Sequence, residues 1–387
     1  MGSLSIPFTT LYGSMDERLL AERLITYDTS TVDGLRAAAG FVKGWLGSRD
    51  IDVRDREHQG LPVITAHAGA DEASDAPTVI LHGHLDVVPG HEEQFTPRIE
   101  GDRLIGRGAY DMKGALAGMM CALRDAAEQR DVRVLFVCVP DEESDEMDDR
   151  ATDNLVREGL RADFAITGEP TDLHIGVQAK GVVAFRMRVD GTAAHGSTPW
   201  EGDNAILKAV DVFRAIETLP FARESSDLFD RPSINLGRIL GGDALNKVPD
   251  TCFVDVDVRY LPGQDAGEIL AQVRALGVEV LKTFIRKPAI VSRTDPYVGT
   301  LRAAVGTAVE GEVLSVGRDG ASDAVSFLEA GIPAVEFGPV GGGHHGPEEW
   351  VSLSSLERYR EALAAFVRGV GSGEASRGLR AIGGGSA

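Results

Sequence analysis

The sequence predicts an α/β protein, a mixed and mostly parallel sheet with helices on both faces, into which an α+β module is inserted. Three observations carry this reading. APTVILHGHLDVVP and VRVLFVCVP contain nearly unbroken apolar runs rich in β-branched residues, the pattern of strands buried on both faces. GALAGMMCALRDAAEQ, between them, has the period and propensity of a helix, and a strand, helix, strand order argues for a parallel layer. Near Gln178 the pattern changes to an alternation of apolar and polar residues, and after about Arg293 the first pattern resumes.

In chain order, ERLLAERLITYDTS and GLRAAAGFVKGWLGSR repeat apolar residues every three or four positions, which predicts two helices around a polar loop. LPVITAHAG follows as a strand, and with the elements above it completes a first α/β segment over 14–177. In VVAFRMRVDGTAAH and TCFVDVDVRY apolar residues alternate with polar ones, whereas NAILKAVDVFRAIETL and DAGEILAQVRALGVEVLKTFI read as helices. Together they predict an open sheet with one solvated face over 178–292. YVGTLRAAVGTAVEG and DAVSFLEAGI are helical, EVLSVG and PAVEFGPV are strands, and they return the chain to the α/β layer over 293–371. The Gly/Ser-rich end predicts a disordered tail at 372–387.

Composition narrows the function classes. With 387 residues, 43% of them apolar, the chain can bury a large core. A formal net charge of −21 repels phosphate backbones and anionic membranes, so nucleic acid is not expected as a partner. No apolar run approaches the ~18 residues a membrane span needs, and the N-terminus lacks the basic and apolar regions of a signal peptide. The expected location is therefore cytoplasmic. Cys121, Cys138 and Cys252 sit among apolar neighbours without CxxC spacing, as structural thiols do in a reducing compartment, and a cysteine-based zinc ribbon is excluded.

Five loops carry ligand-type residues, each after a predicted strand or at the mouth of a helix. In HGHLDVVP, His84 and Asp86 stand two apart at a strand end and so share a face; His82 has the same parity and competes with His84. Asp111 in GRGAYDMKG reads either as a helix N-cap or as a carboxylate bridging two cations. VPDEESDEMDD places acids just beyond an apolar strand, where α/β sheets bind ligands. ADFAITGEPT repeats this with Glu169, and GPVGGGHHGPEEWV holds His344 and His345 in a glycine-rich loop. Two histidines and three carboxylates without a thiolate form a hard N/O donor set suited to hydrolysis assisted by zinc, cobalt or manganese.

HLDVVP, GRGAYDMKG, PDEE, GEPT, GTAAHGSTPWEGDNAI and HGPEEW follow one another from about residue 80 to 350. In this order they resemble the aminoacylase and glutamate carboxypeptidase family of dinuclear zinc metallohydrolases, which includes acetylornithine deacetylase and succinyl-diaminopimelate desuccinylase. The resemblance implies two divalent ions, zinc or else cobalt or manganese, with His84 and Glu169 on one, Glu143 and His345 on the other, and Asp111 bridging. It also implies that Asp86 orients His84 and that Glu142 is the general base. The inserted module becomes a lid and dimerisation domain, from which His195 reaches across a homodimer to stabilise the oxyanion, while Asn246 and Arg259 contact substrate.

The implied activity is removal of an acyl group from an N-acyl amino acid, as in the deacetylase and desuccinylase branch. The alternatives are a metallo-exopeptidase or dipeptidase acting on a short peptide, and a catalytically silent metal-binding scaffold, against which the retention of Glu142 and every ligand speaks. Two departures stand out. Residues 144 to 149 add four acids where relatives turn on glycine, and Ala321 stands where the desuccinylases often have threonine. On this reading Asp141 shapes the loop, and Asp145, Glu146, Asp148 and Asp149 form a solvated surface or begin the next helix.

Overall fold

The apolar runs of the sequence form the centre of a sheet in the computed structural model, which describes residues 16–144 and 149–373. The expected tail beyond Gly373 and the surface reading of Asp145, Glu146 and Asp148 lie outside the described residues. The chain divides into two compact units, one of Met1–Val177, Val291–Val316 and Ser326–Ala387, the other of Gln178–Ile290 and Gly317–Val325.

The strands of the first unit are β1 (Asp52–His58), β2 (Leu61–Gly69), β3 (Thr78–His84), β4 (Arg133–Val139), β5 (Phe164–Thr167), β6 (Ile175–Ala179) and β7 (Ala334–Glu336). They lie in the order β1, β2, β4, β3, β5, β7, β6. The four middle strands run parallel, in registers that set His84 beside Val139 and His82 beside Thr167, and antiparallel neighbours flank them on both sides. Parallel strands need cover on both faces, which is why all but the first residue of β3 and of β4 is buried. β1, DVRDREH, is mostly exposed and carries no apolar period, so it was not foreseen; it exists as an antiparallel edge on β2.

Helices α1 (Asp16–Ile25), α2 (Val32–Gly47), α3 (Gly114–Asp125), α4 (Ala151–Arg157), α5 (Pro296–Ala308) and α6 (Leu353–Gly371) complete this unit. α3 is buried from Gly114 to Leu123, because α1 and α6 pack on it as well as the sheet. The contact with α6 is close at Gly118, where an added Cβ would stand 2.7 Å from the Tyr359 ring. α6 opens with Ser352, whose hydroxyl accepts a hydrogen bond from the Ser355 N–H at 3.1 Å, and it buries Leu356, Tyr359, Leu363 and Phe366 along one stripe.

Four short strands, Arg98–Glu100, Arg103–Ile105, Gly341–Gly342 and Trp350–Ser352, make a small second sheet in this unit. These four carry too little pattern of their own to be foreseen. The consequence of the parallel centre is that β4, β3, β5 and β7 all end on one edge, and the loops leaving that edge carry the ligand-type residues.

The second unit has a four-stranded antiparallel sheet in the order Ser233–Gly241, Thr251–Tyr260, Gly181–Asp190, Glu279–Arg286. Its alternation is complete in Thr251–Tyr260, where Cys252, Val254, Val256, Val258 and Tyr260 are buried and their neighbours are not. The helices Ala205–Ile216 and Ala266–Arg274 supply Phe213, Ile216, Ile269 and Val273 to the same core. The other face is polar, with Asp255 between Arg186 at 2.6 Å and Arg238 at 3.0 Å. This is the α+β character that alternation in the sequence predicts. The helix expected over DAGEILAQVRALGVEVLKTFI, however, ends at Arg274, and Glu279–Arg286, like the unforeseen Ser233–Gly241, is a strand because it pairs into the sheet.

Candidate metal centre

β3 delivers His84 to the carboxyl edge of the sheet and holds it 1% exposed. Its Nε2 stands 3.1 Å from Asp111 Oδ1 and 3.7 Å from Glu169 Oε1. His345 Nε2 lies 2.8 Å from Glu143 Oε1 and 3.6 Å from Asp111 Oδ2. The two oxygens of Asp111 thus face two different histidines, each with its own glutamate. One donor atom each from His84, Asp111 and Glu143 lie within 4.8 Å of one another. All five residues expected as ligands are therefore brought together.

His82 is excluded from this cluster. Its Nε2 is 3.0 Å from Thr152 Oγ1 and its ring packs edge-on against Phe327, so it is a core histidine. Asp111 is not an N-cap either: it lies in a non-helical turn, φ −120° and ψ 92°, and Lys113 precedes α3. The Asp111–Met112 peptide is cis.

Charge explains why these side chains need one another. Burial disfavours a protonated His84, yet its hydrogen bonds to Asp111 and Asp86, with their charges and that of Glu169, outweigh this and raise its pKa well above the usual value. Hydrogen bonds to Asp111 and Glu143 push His345 up to about 10. Burial would raise the Asp111 carboxyl, but His345 and His84 hold it well below the carboxylate range. Glu169 is raised well above that range by burial and by the charge of Asp111. Protons here stand where cations would stabilise the same carboxylates, and the donor set of imidazoles and carboxylates fits divalent metal ions.

Asp86 lies between His84 and the double glutamate. His84 Nδ1 meets the Asp86 backbone carbonyl at 3.0 Å, with the carboxylate at 3.6 Å. That carboxylate accepts the backbone N–H groups of Glu142 at 3.2 Å and Glu143 at 2.7 Å, fixing the double glutamate beside the histidine. Glu142 Oε1 accepts from Arg150 Nη1 at 2.9 Å. Asp141 accepts the Ala151 N–H at 2.8 Å, so it closes the loop onto the start of α4.

The sequence reading missed the residues that hold Asp111 in place. Glu349, 1% exposed, accepts the backbone N–H groups of Gly108, Tyr110 and Asp111 at 2.9, 3.0 and 3.0 Å, and Arg107 Nη1 at 2.9 Å. Arg107 also donates to the His345 carbonyl at 3.3 Å, so one buried pair serves both loops. The only signal was the second acid of HGPEEW, indistinguishable from a surface charge. His345 itself has φ +62°, a left-handed conformation that costs a non-glycine residue about 1–3 kcal/mol. Behind Glu169 the chain passes so close that a Cβ on Gly338 would stand 2.3 Å from the Glu169 carbonyl oxygen, which demands glycine.

His195, Asn246 and Arg259 belong to the second unit, and His195 and Asn246 are exposed. Gly196 N–H donates to the Asn246 carbonyl at 2.7 Å, which sets His195 and Asn246 side by side. His195 Nδ1 is engaged by Ser197, 2.7 Å from its Oγ and 3.1 Å from its backbone N–H. Arg259 is paired with Asp257 through Nε at 3.0 Å and Nη2 at 2.9 Å. Cys121, Cys138 and Cys252 are buried free thiols, and burial pushes Cys121 and Cys138 up to about 12, out of reach of reactive chemistry.

Imidazole and carboxylate donors gathered at the carboxyl edge of a parallel sheet, with a spare glutamate held beside them, are the construction of a metal-dependent hydrolase. The chain belongs to peptidase family M20/M25/M40, which its sequence matches over residues 80–369. It is 27% identical to acetylornithine deacetylase of Yersinia pestis, covering 93% of this chain and 97% of that one. It is 30% identical to succinyl-diaminopimelate desuccinylase of Stenotrophomonas maltophilia, covering 88% and 93%. A metallo-carboxypeptidase of family M20 from Sulfolobus solfataricus has the same fold, with a TM-score of 0.75 at 17% identity over 92% of this chain and 99% of that one. The protein is thus a metal-dependent hydrolase of amide or peptide bonds.

Proposed function

We propose that this hydrolase uses two divalent ions to remove an acyl group from an N-acyl amino acid. The observation that carries the reading is Asp111, whose oxygens face His84 at 3.1 Å and His345 at 3.6 Å. His84 and Glu169 would hold one ion and His345 and Glu143 the other, with Asp111 shared and zinc favoured over cobalt or manganese. Bound there, such ions supply Lewis acidity that acidifies water and polarises the scissile carbonyl.

The protein's own groups do the rest. Glu142 takes the proton of the attacking water and returns it to the leaving amine. Asp86 supports this by holding the Glu142 backbone in place. His195 stabilises the developing oxyanion by a hydrogen bond from its ring, acting across a homodimer built through the second unit, which also serves as the lid. Arg259 has five N–H donors, and those not engaged by Asp257 would receive the substrate carboxylate, with Asn246 beside it. The buried free thiols support a cytoplasmic setting.

The names of the full-length relatives favour an N-acyl amino acid over a dipeptide as substrate. A screen of N-acetyl, N-succinyl and N-formyl amino acids against dipeptides, with zinc, cobalt and manganese, decides the matter. Turnover of dipeptides alone would replace the deacylase reading with an exopeptidase. Glu142→Ala should abolish turnover with metal content intact; full activity in that variant sinks the base assignment. Mixing His195→Ala protomers with Glu142→Ala protomers should recover part of the activity, and no recovery would confine His195 to its own subunit.

A further inference from the structure

A chain of net charge −21 gives no reason to expect a cationic cleft, yet the first unit has one. It measures about 240 Å³ and is lined by β1, β2, the start of β4 and the residues after α4. In register, Arg54 faces Thr65, His67 faces Leu135 and Gly69 faces Arg133, so the two-residue period turns Arg54, Thr65, His67 and Arg133 to one face of the sheet. α4 has only seven residues, and the cleft wall beyond it is built by Glu158 and Arg161. Arg54, Arg56, Arg133 and Arg161 meet Glu72 and Glu158 there, so positive charge is in excess among the lining side chains.

The arginines are arranged for an oxyanion. Glu72 already acts as an internal one: Arg54 Nη2 reaches it at 3.0 Å and Arg133 Nη2 at 3.5 Å, and these contacts hold its carboxyl below the usual range. Arg56 pairs with Glu158 at 2.7 Å. Both glutamates are half exposed or more, so these pairs are weak and open to exchange. Arg133 is largely buried, and its Nε has no hydrogen-bond partner among the described residues. Arg161 is fixed by the Val156 and Leu160 carbonyls at 3.1 and 2.7 Å.

We infer that this cleft is a binding site for a small multivalent oxyanion, recognised through phosphate or paired carboxylate groups by the guanidinium forks of Arg54, Arg133 and Arg161. It is separate from the metal centre, because Arg133 opens β4 whereas Glu142 and Glu143 follow its far end, about 20 Å away.

Calorimetric titration of the metal-loaded full chain with inorganic phosphate and with malonate, at ionic strength fixed by chloride, tests the inference. The double variant Arg54→Gln/Arg133→Gln and the single variant Arg161→Gln serve as the comparison, the latter being exposed and therefore safe for folding. Binding of either anion that weakens about tenfold or more in the variants, while metal content and hydrolysis stay unchanged, supports the site, and the tighter anion names the recognised group. Isotherms identical in the wild type and both variants place the anion elsewhere and overturn the inference, as does no binding beyond chloride.

Discussion

At the scale of single residues, the centre depends on buried side chains that are not among its candidate ligands. Glu349 ties the three N–H groups around Asp111 to Arg107, and both partners are nearly fully buried. Glu349→Ala would leave Arg107 without its counter-charge and should destabilise the protein by about 3–5 kcal/mol in urea denaturation. Glu349→Gln keeps an acceptor but not the charge, and should fold while binding metal about 10–100-fold more weakly, read by competition with a chelator. Position alone left His82 level with His84 and an N-cap reading for Asp111; the candidate ligands were legible in the sequence only through the order of its motifs and the family these resemble. Glu349, Arg107 and Arg150 were not, because a buried ion pair has no signature until the fold supplies its partner.

Elements differ in how much of their reason is local. α3 was announced by its period and propensity and the parallel strands by their unbroken apolar runs, and both are largely buried. β1 is held by the neighbour it pairs with, so its own residues said nothing. The crossing of α3 and α6 gives a direct test. Gly118→Ala would press a methyl group into the Tyr359 ring, and this overpacking should cost about 1–3 kcal/mol, seen as a lower urea midpoint with an unchanged slope. Ser352→Ala removes the hydroxyl that caps α6 and should cost about 0.5–2 kcal/mol by the same measurement.

For the whole molecule, the fold class was legible as two rhythms, unbroken apolar runs and strict alternation, because each follows from how many faces of a sheet are covered. That Gly317–Val325 joins the second unit was not, since it is set by long-range packing. The donors cluster in the first unit, while the second unit's core of Val183, Phe185, Val254 and Val258 contains none of them. Chelation should therefore lower the stability of the first unit by about 2.7 kcal/mol for an ion held at a hundred times its Kd. Hydrogen exchange should show the loss in β3 and β4 and leave Thr251–Tyr260 unchanged; equal loss in both would contradict the assignment.

The grip of Asp86 on the double glutamate has an evolutionary corollary. It holds positions 142 and 143 by their main chain, which any amino acid but proline presents in the same way. This main-chain anchor at positions 142 and 143 is thus indifferent to which side chains stand there. If Glu142 is the proton carrier proposed above, its single replacement would leave the candidate ligands held and the chemistry gone, so an enzyme built this way stands one codon from becoming a receptor.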